Sequence, residues 1–172
     1  SRALKPIVPC LDTCLVYDTG SEDTTIAIAE KCGAVVEQGY WDEDFGAARN
    51  RAIEGLKEYD IDWVYWQDAD EVLRFPSRLR HYLQSDLGIF PGMIILQNHL
   101  MLENPVSADI PIRLFRNIPD HRFFGKLHEH VMMASDPDGN TNLFPLMILP
   151  DVKIIHFGYT TEEERRWKAV YR

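Results

Sequence analysis

Residues 61–71, Ile-Asp-Trp-Val-Tyr-Trp-Gln-Asp-Ala-Asp-Glu, constrain the fold of this chain more than any other stretch. The run is β-branched or aromatic at most of its early positions and stops abruptly in three acidic residues, which reads as a buried strand delivering carboxylates to its C-terminal end. In open α/β sheets that end is where ligands bind. Asp68 and Asp70 are two residues apart, so an extended backbone puts them on one face and a turn can bring them together. Two converging carboxylates repel unless a cation sits between them. Hard oxygen ligands suit Mg²⁺ or Mn²⁺. The same pattern also fits a helix start, with Asp70 capping Glu71-Val72-Leu73.

A length of 172 residues suits one well-buried domain rather than two. The 18 basic residues against 27 acidic ones leave a net charge of −9, which argues against nucleic acid or an anionic membrane as the main partner. An anionic ligand then needs a metal or a few placed arginines. The three cysteines, Cys10, Cys14 and Cys32, have no metal-ligand spacing and read as thiols in a reducing compartment. No apolar run is long enough to span a bilayer, and no secretory leader is visible. The expected location is therefore the cytoplasm, or the inner face of a membrane.

Along the chain, residues 13–17 read as a strand ending in Asp18-Thr19-Gly20-Ser21. A helix over 24–32, capped by Ser21 or Asp23 and closed at Gly33, leads to a strand from Ala34 to Glu37. This is a β-α-β unit. A helix entered through Trp41 to Phe45 runs to Tyr59, and the strand over 62–66 follows. Pro76 opens a helix to Gln84. Strand-like runs at 93–100, 111–116, 126–133 and 152–157 are punctuated by Gly, Pro, Asn and Asp, which suggests mixed or antiparallel pairing in the same sheet. Residues 135–142 read as a loop and 161–171 as a charged helix.

Three stretches then line up in order: Asp18-Thr19-Gly20-Ser21, Ala47-Ala48-Arg49-Asn50 and Asp68-Ala69-Asp70-Glu71. With Arg113-Leu114-Phe115-Arg116-Asn117, Gly125-Lys126-Leu127-His128-Glu129 and Ile155-His156-Phe157-Gly158-Tyr159, the set resembles the family 2 glycosyltransferases of GT-A fold, from about Leu11 to Tyr159. The resemblance implies an α/β fold with a Rossmann-type mixed sheet flanked by helices, its first strand missing ahead of Leu11. It implies one domain over 1–172, truncated at both ends, with a nucleotide-binding half (1–75) and an acceptor-side half (76–172).

The implied activity is metal-dependent, inverting transfer of a sugar from a nucleotide-diphosphate donor, a UDP-sugar for preference, to a hydroxyl of a glycan, lipid-linked or protein acceptor. The alternative is a non-catalytic sugar- or nucleotide-binding module of the same fold. A nucleotidyltransferase is disfavoured, because Asp18-Thr19-Gly20-Ser21 has a single glycine. By resemblance, Asp18, Arg49 and Asp68 bind the donor, Asp70 and His156 hold a divalent cation (Mn²⁺ or Mg²⁺), and Glu129 is the catalytic base. The metal would offset leaving-group charge and the base would activate the acceptor.

Among His128, His130 and His156 the sequence does not choose, and a lone histidine in an apolar strand is as readily a core residue. Arg113 and Arg116 suit phosphate recognition but equally an exposed edge strand. Trp41, Trp63 and Trp66 could stack on a sugar or base, with at least one of the last two in the core. Further domains or a homo-oligomer remain compatible with the charged final stretch.

Overall fold

A computed structural model describes residues 1–84, 92–100, 104–136 and 147–157, without the side chains of 92–108. The charged helix expected at 161–171, the Gly158-Tyr159 step and most of the 135–142 loop lie outside the described residues.

In chain order the elements are α1 (Leu4–Ile7), a 3-10 turn (Val8–Cys10), β1 (Leu15–Asp18), α2 (Thr25–Lys31), β2 (Val35–Gln38), and α3 (Phe45–Gly55), which tightens into a 3-10 turn (Leu56–Glu58). Then come β3 (Trp63–Tyr65), β4 (Glu71–Arg74), α4 (Pro76–Gln84), β5 (Gly92–Leu100), β6 (Asn104–Asp109), β7 (Ile112–Arg116), β8 (His121–Phe124), β9 (His130–Met133) and β10 (Met147–His156). The fold is mixed α/β, with small sheets and few helices among the described residues.

The strands do not share one sheet, as the sequence suggested. β1 and β2 pair in parallel as a two-stranded unit across α2. Five strands run in the order β3-β7-β5-β10-β4, with β6 added on β5. Only β5 and β10 are parallel there; the remaining pairs are antiparallel. β8 and β9 form a separate antiparallel pair. The acid-tipped strand is therefore not a central parallel strand but β3, at the end of the larger sheet and antiparallel to β7. Nor does Asp70 cap a helix: Glu71 to Arg74 form β4, paired with β10. Val72 is β-branched and suits a strand, and the burial of β4 alternates as a strand's does. β8 gave little sequence signal, since its two phenylalanines lie beside a histidine and an arginine.

α3 follows its sequence closely. Asp44 is extended at the N-cap, and its Oδ1 accepts from Ala47 N at 2.8 Å. Ala47, Ala48, Arg49, Arg51 and Ala52 are strong helix formers that carry it onward. Gly46 lies so close to the turn between β8 and β9 that an added Cβ would meet the Gly125 carbonyl oxygen at 2.6 Å. Phe45 N donates to Lys126 O at 3.1 Å in the same contact. The helix start and that turn are thus locked together.

β7 organises the core because Leu114 and Phe115 point to opposite faces. Leu114 joins Ile7, Leu73, Leu79, Leu149, Val152 and Ile154. Phe115 joins Ile53, Val64, Phe123 and Val131. Each such side chain contributes about 1.5–3 kcal/mol on burial. The second cluster clamps α3, β3, β7, β8 and β9 around one end of the sheet, and the candidate site opens there.

Candidate functional site

Arg49 is carried inward on α3, one helical turn beyond the lock at Gly46. Its Nη2 lies 3.1 Å from Asp68 Oδ1 and 2.6 Å from Glu129 Oε1, and Nε donates to the same Glu129 oxygen at 3.0 Å. Asp68 comes from the turn after β3 and Glu129 from the turn before β9. Three stretches far apart in the chain thus meet at one guanidinium. Burial pulls the Arg49 pKa below its ordinary value, and Asp68 and Glu129 pull it back up. The group stays charged throughout the physiological range.

Trp66 stands under this cluster. The Arg49 Cζ lies 3.8 Å from the indole centroid and the Arg113 Cζ 3.5 Å from it. Two planar groups at such heights cannot share one face, so the ring is held between two guanidinium groups, each a favourable cation–π contact. Its Nε1 donates to Ile112 O at 3.0 Å and its edge meets Phe123. With both faces occupied, Trp66 is not free to stack on a sugar or base. Trp63 packs on the first core cluster with Arg116 over its ring.

Arg113 corrects another expectation. It is not an edge-strand arginine: β7 lies between β3 and β5, and the residue is buried. Its Nη2 donates to Glu71 Oε1 at 2.6 Å. Glu71 Oε2 accepts from Asp68 N at 3.0 Å, and Gln67 Nε2 donates to Glu71 O at 3.0 Å, so the turn from Gln67 to Glu71 is tied down on several sides. Burial raises the Glu71 carboxyl above the ordinary range, with Arg113 opposing that shift. Neither Glu71 nor the buried role of Arg113 was anticipated. The signal was present in Ile112-Arg113-Leu114-Phe115, where adjacent apolar residues mark a strand covered on both faces, and an arginine inside such a strand requires an acidic partner.

The two aspartates of the acidic tip part company. Asp68 turns to α3, whereas Asp70 Oδ2 lies 3.1 Å from His156 Nε2 at the end of β10, and Phe157 N donates to Asp70 O at 2.9 Å. Asp18 folds its carboxylate back on its own turn, accepting from Gly20 N at 3.1 Å and Ser21 N at 2.9 Å. The Ser21 hydroxyl and those two N–H groups hold its pKa below the ordinary value. His128 takes a left-handed backbone, φ 56°, in the turn after Gly125. It therefore does not share a strand face with His130, and Glu129 belongs to this turn, not to a strand begun at Lys126.

Between these groups lies a cavity of about 230 Å³ lined by Arg49, Trp66, Asp68, Pro111, Ile112, Arg113, Glu129, His130 and Val131. A second, more open hollow of about 470 Å³ lies between residues 9–12 and α4, across the exposed Arg80–Asp12 pair.

No family model matches the chain. A TPR repeat-containing protein of Synechococcus elongatus is 32% identical over a 170-residue alignment that covers 92% of this chain and 38% of the relative. The chain thus spans less than two fifths of the curated relative it matches.

That relative's name points away from a family 2 glycosyltransferase, and the assignment is corrected accordingly. With it go the inverting transferase activity, the UDP-sugar donor, the glycan-biosynthetic role and the non-catalytic sugar- or nucleotide-binding alternative. The metal-binding character expected of the acidic tip is corrected as well: among the described residues no three His, Cys, Asp or Glu side chains gather as a ligand set. Asp68 and Asp70 part, the first toward the Arg49 guanidinium and the second toward the imidazole of His156, the other residue expected to hold the cation. Among the described residues no helix is long and apolar enough to cross a membrane.

Proposed function

We propose that this chain is a non-enzymatic binding module within a longer interaction protein, and that the cleft over Arg49 and Trp66 receives a basic side chain from a protein partner. The observation that carries the reading is the charge balance at the mouth. Arg49 is already engaged by two carboxylates, and the Asp68 side chain remains 42% exposed beside it. With Arg113 paired to Glu71, the Arg49 guanidinium alone faces Asp68 and Glu129, which leaves an excess of negative charge that draws in a cation and repels an anion.

Size supports the same reading. About 230 Å³ falls below the roughly 300–1,000 Å³ of small-molecule sites and suits one side chain. A relative named for TPR repeats supports protein partners, because stacked repeats form extended binding surfaces. In fold, the parallel β1-α2-β2 unit supports a Rossmann-type reading of the front of the chain, with 1–172 acting as one domain.

The test is peptide display against the immobilised chain. Enriched sequences are expected to carry Lys or Arg, and Glu129→Gln or Asp68→Asn should weaken them about tenfold while thermal unfolding stays cooperative. Acidic or random enrichment, or binding indifferent to both substitutions, overturns the proposal. Repeating the titration with Mn²⁺ and with chelator asks whether the cation expected at Asp70 and His156 belongs to the site.

A further inference from the structure

Arg113 is only half used by its surroundings. Its side chain is 5% exposed, and Glu71 takes Nη2. Nε and Nη1 are buried and have no hydrogen-bond partner among the described residues. A guanidinium carries five N–H donors and accepts nothing. Buried donors left unmatched are rare, and each asks for an explanation. Arg113 is also a wall of the cleft that holds Asp68 and Glu129.

The chemistry of the missing acceptor follows from the charges around it. Glu71 already neutralises Arg113, so a second carboxylate would bring surplus negative charge beside Asp68 and Glu129. A neutral, strong acceptor fits instead, and an amide carbonyl is the commonest one a protein partner offers.

We propose that Arg113 anchors a backbone carbonyl of the bound segment, so that the cleft selects a basic residue within a peptide over a free amine or polyamine. This rests on the cleft being a receptor for a basic side chain. Both nitrogens are closed to water, so a carbonyl that reaches them as the cleft opens around a bound segment meets no solvent competition. Arg113 and the Asp68–Glu129 pair then read different parts of one residue: its backbone and its charged tip.

Three probes separate these parts on the wild-type chain: N-acetyl-lysine N-methylamide, n-butylamine and N-methylacetamide. Each is titrated while the Arg guanidinium N–H resonances and the Asp and Glu side-chain carboxyl signals are followed by NMR. The lysine amide is expected to bind about tenfold more tightly than butylamine and to shift the Arg113 Nε–H signal, which butylamine leaves in place. Arg113→Lys, which keeps the charge beside Glu71, should erase that tenfold preference, read as the ratio of the two affinities within the variant. Equal binding of the two amines, or a preference that survives Arg113→Lys, overturns the carbonyl anchor alone. If neither amine perturbs Asp68 or Glu129, the receptor reading falls and the anchor with it. Should Arg113→Lys not fold, the wild-type comparison decides by itself.

Discussion

Replacing Arg113 with methionine tests the buried charge pair that supports the floor of the cleft. Methionine roughly fills the volume of the aliphatic stem, so the main loss is the ion pair with Glu71 at 2.6 Å, together with the contact of the guanidinium on Trp66. Removing one partner of a buried pair costs about 3–5 kcal/mol, because the other charge is left without compensation. With a urea m-value of about 2 kcal/mol/M, the unfolding midpoint should fall by about 2 M. The deficit should also depend on pH in a definite direction. Burial already raises the folded-state pKa of Glu71, and Arg113 restrains that rise. A carboxyl with a raised folded pKa favours the fold fully below its unfolded pKa, and that advantage disappears as pH rises through the folded pKa. Without Arg113 the folded pKa climbs further. Between the wild-type and variant values the deficit therefore widens with pH by up to about 1.36 kcal/mol per unit. Below both, only the lost packing on Trp66 remains. Urea unfolding of both proteins at pH 5, 6, 7 and 8 measures this directly. A loss under 1 kcal/mol at pH 8, or a deficit that does not change with pH, would refute the argument. Pairing Arg113→Met with Glu71→Leu should recover much of the stability, since neither charge is then buried alone.

Two further substitutions probe how the site is held in place. Asn50 donates from Nδ2 to Phe123 O and accepts from Phe123 N, both at 2.9 Å, standing in for a neighbouring strand along β8. Asn50→Ala should cost about 1–3 kcal/mol, read as a melting temperature lower by about 3–8 °C, and Asn50→Asp should cost more because it loses the donor and faces a carbonyl. Gly46→Ala puts a Cβ 2.6 Å from the Gly125 carbonyl oxygen, a backbone atom with little room to yield. It should destabilise by about 1–3 kcal/mol and weaken binding of basic peptides, because the same contact positions Glu129 against Arg49. An unchanged melting temperature in either variant would contradict the packing described.

The helices and the first β-α-β unit could be read from the chain because their signals are local. Asp44 before an alanine-rich run, Pro76 opening α4 and Gly33 closing α2 each act over a few residues. The strands of the second half obey longer-range rules. β4 escaped notice because Glu71-Val72-Leu73-Arg74 is too short to display a period, and it becomes a strand only by pairing with β10, about eighty residues later. β3 was recognised as a strand, but its aromatic run does not reveal that β7 will lie beside it, antiparallel.

The site shows the same division, with a chemical lesson added. Arg49, Asp68 and Glu129 were each singled out, and the fold brings them together, though as a mutual ion cluster. Asp68 and Asp70 were read as a pair because two carboxylates close in sequence suggest a shared cation. What the sequence could not display is which partners would arrive from elsewhere: Arg49 from α3 for Asp68, His156 from β10 for Asp70, and Arg113 from β7 for Glu71. Three successive acidic positions in the turn are thus met by three partners from three different elements. A carboxylate already answered by a guanidinium has less need of a metal, and a guanidinium answered on one edge only, as at Arg113, still has hydrogen-bonding capacity to offer. The balance of answered and unanswered donors, more than the acidic motif itself, determines what this cleft can bind.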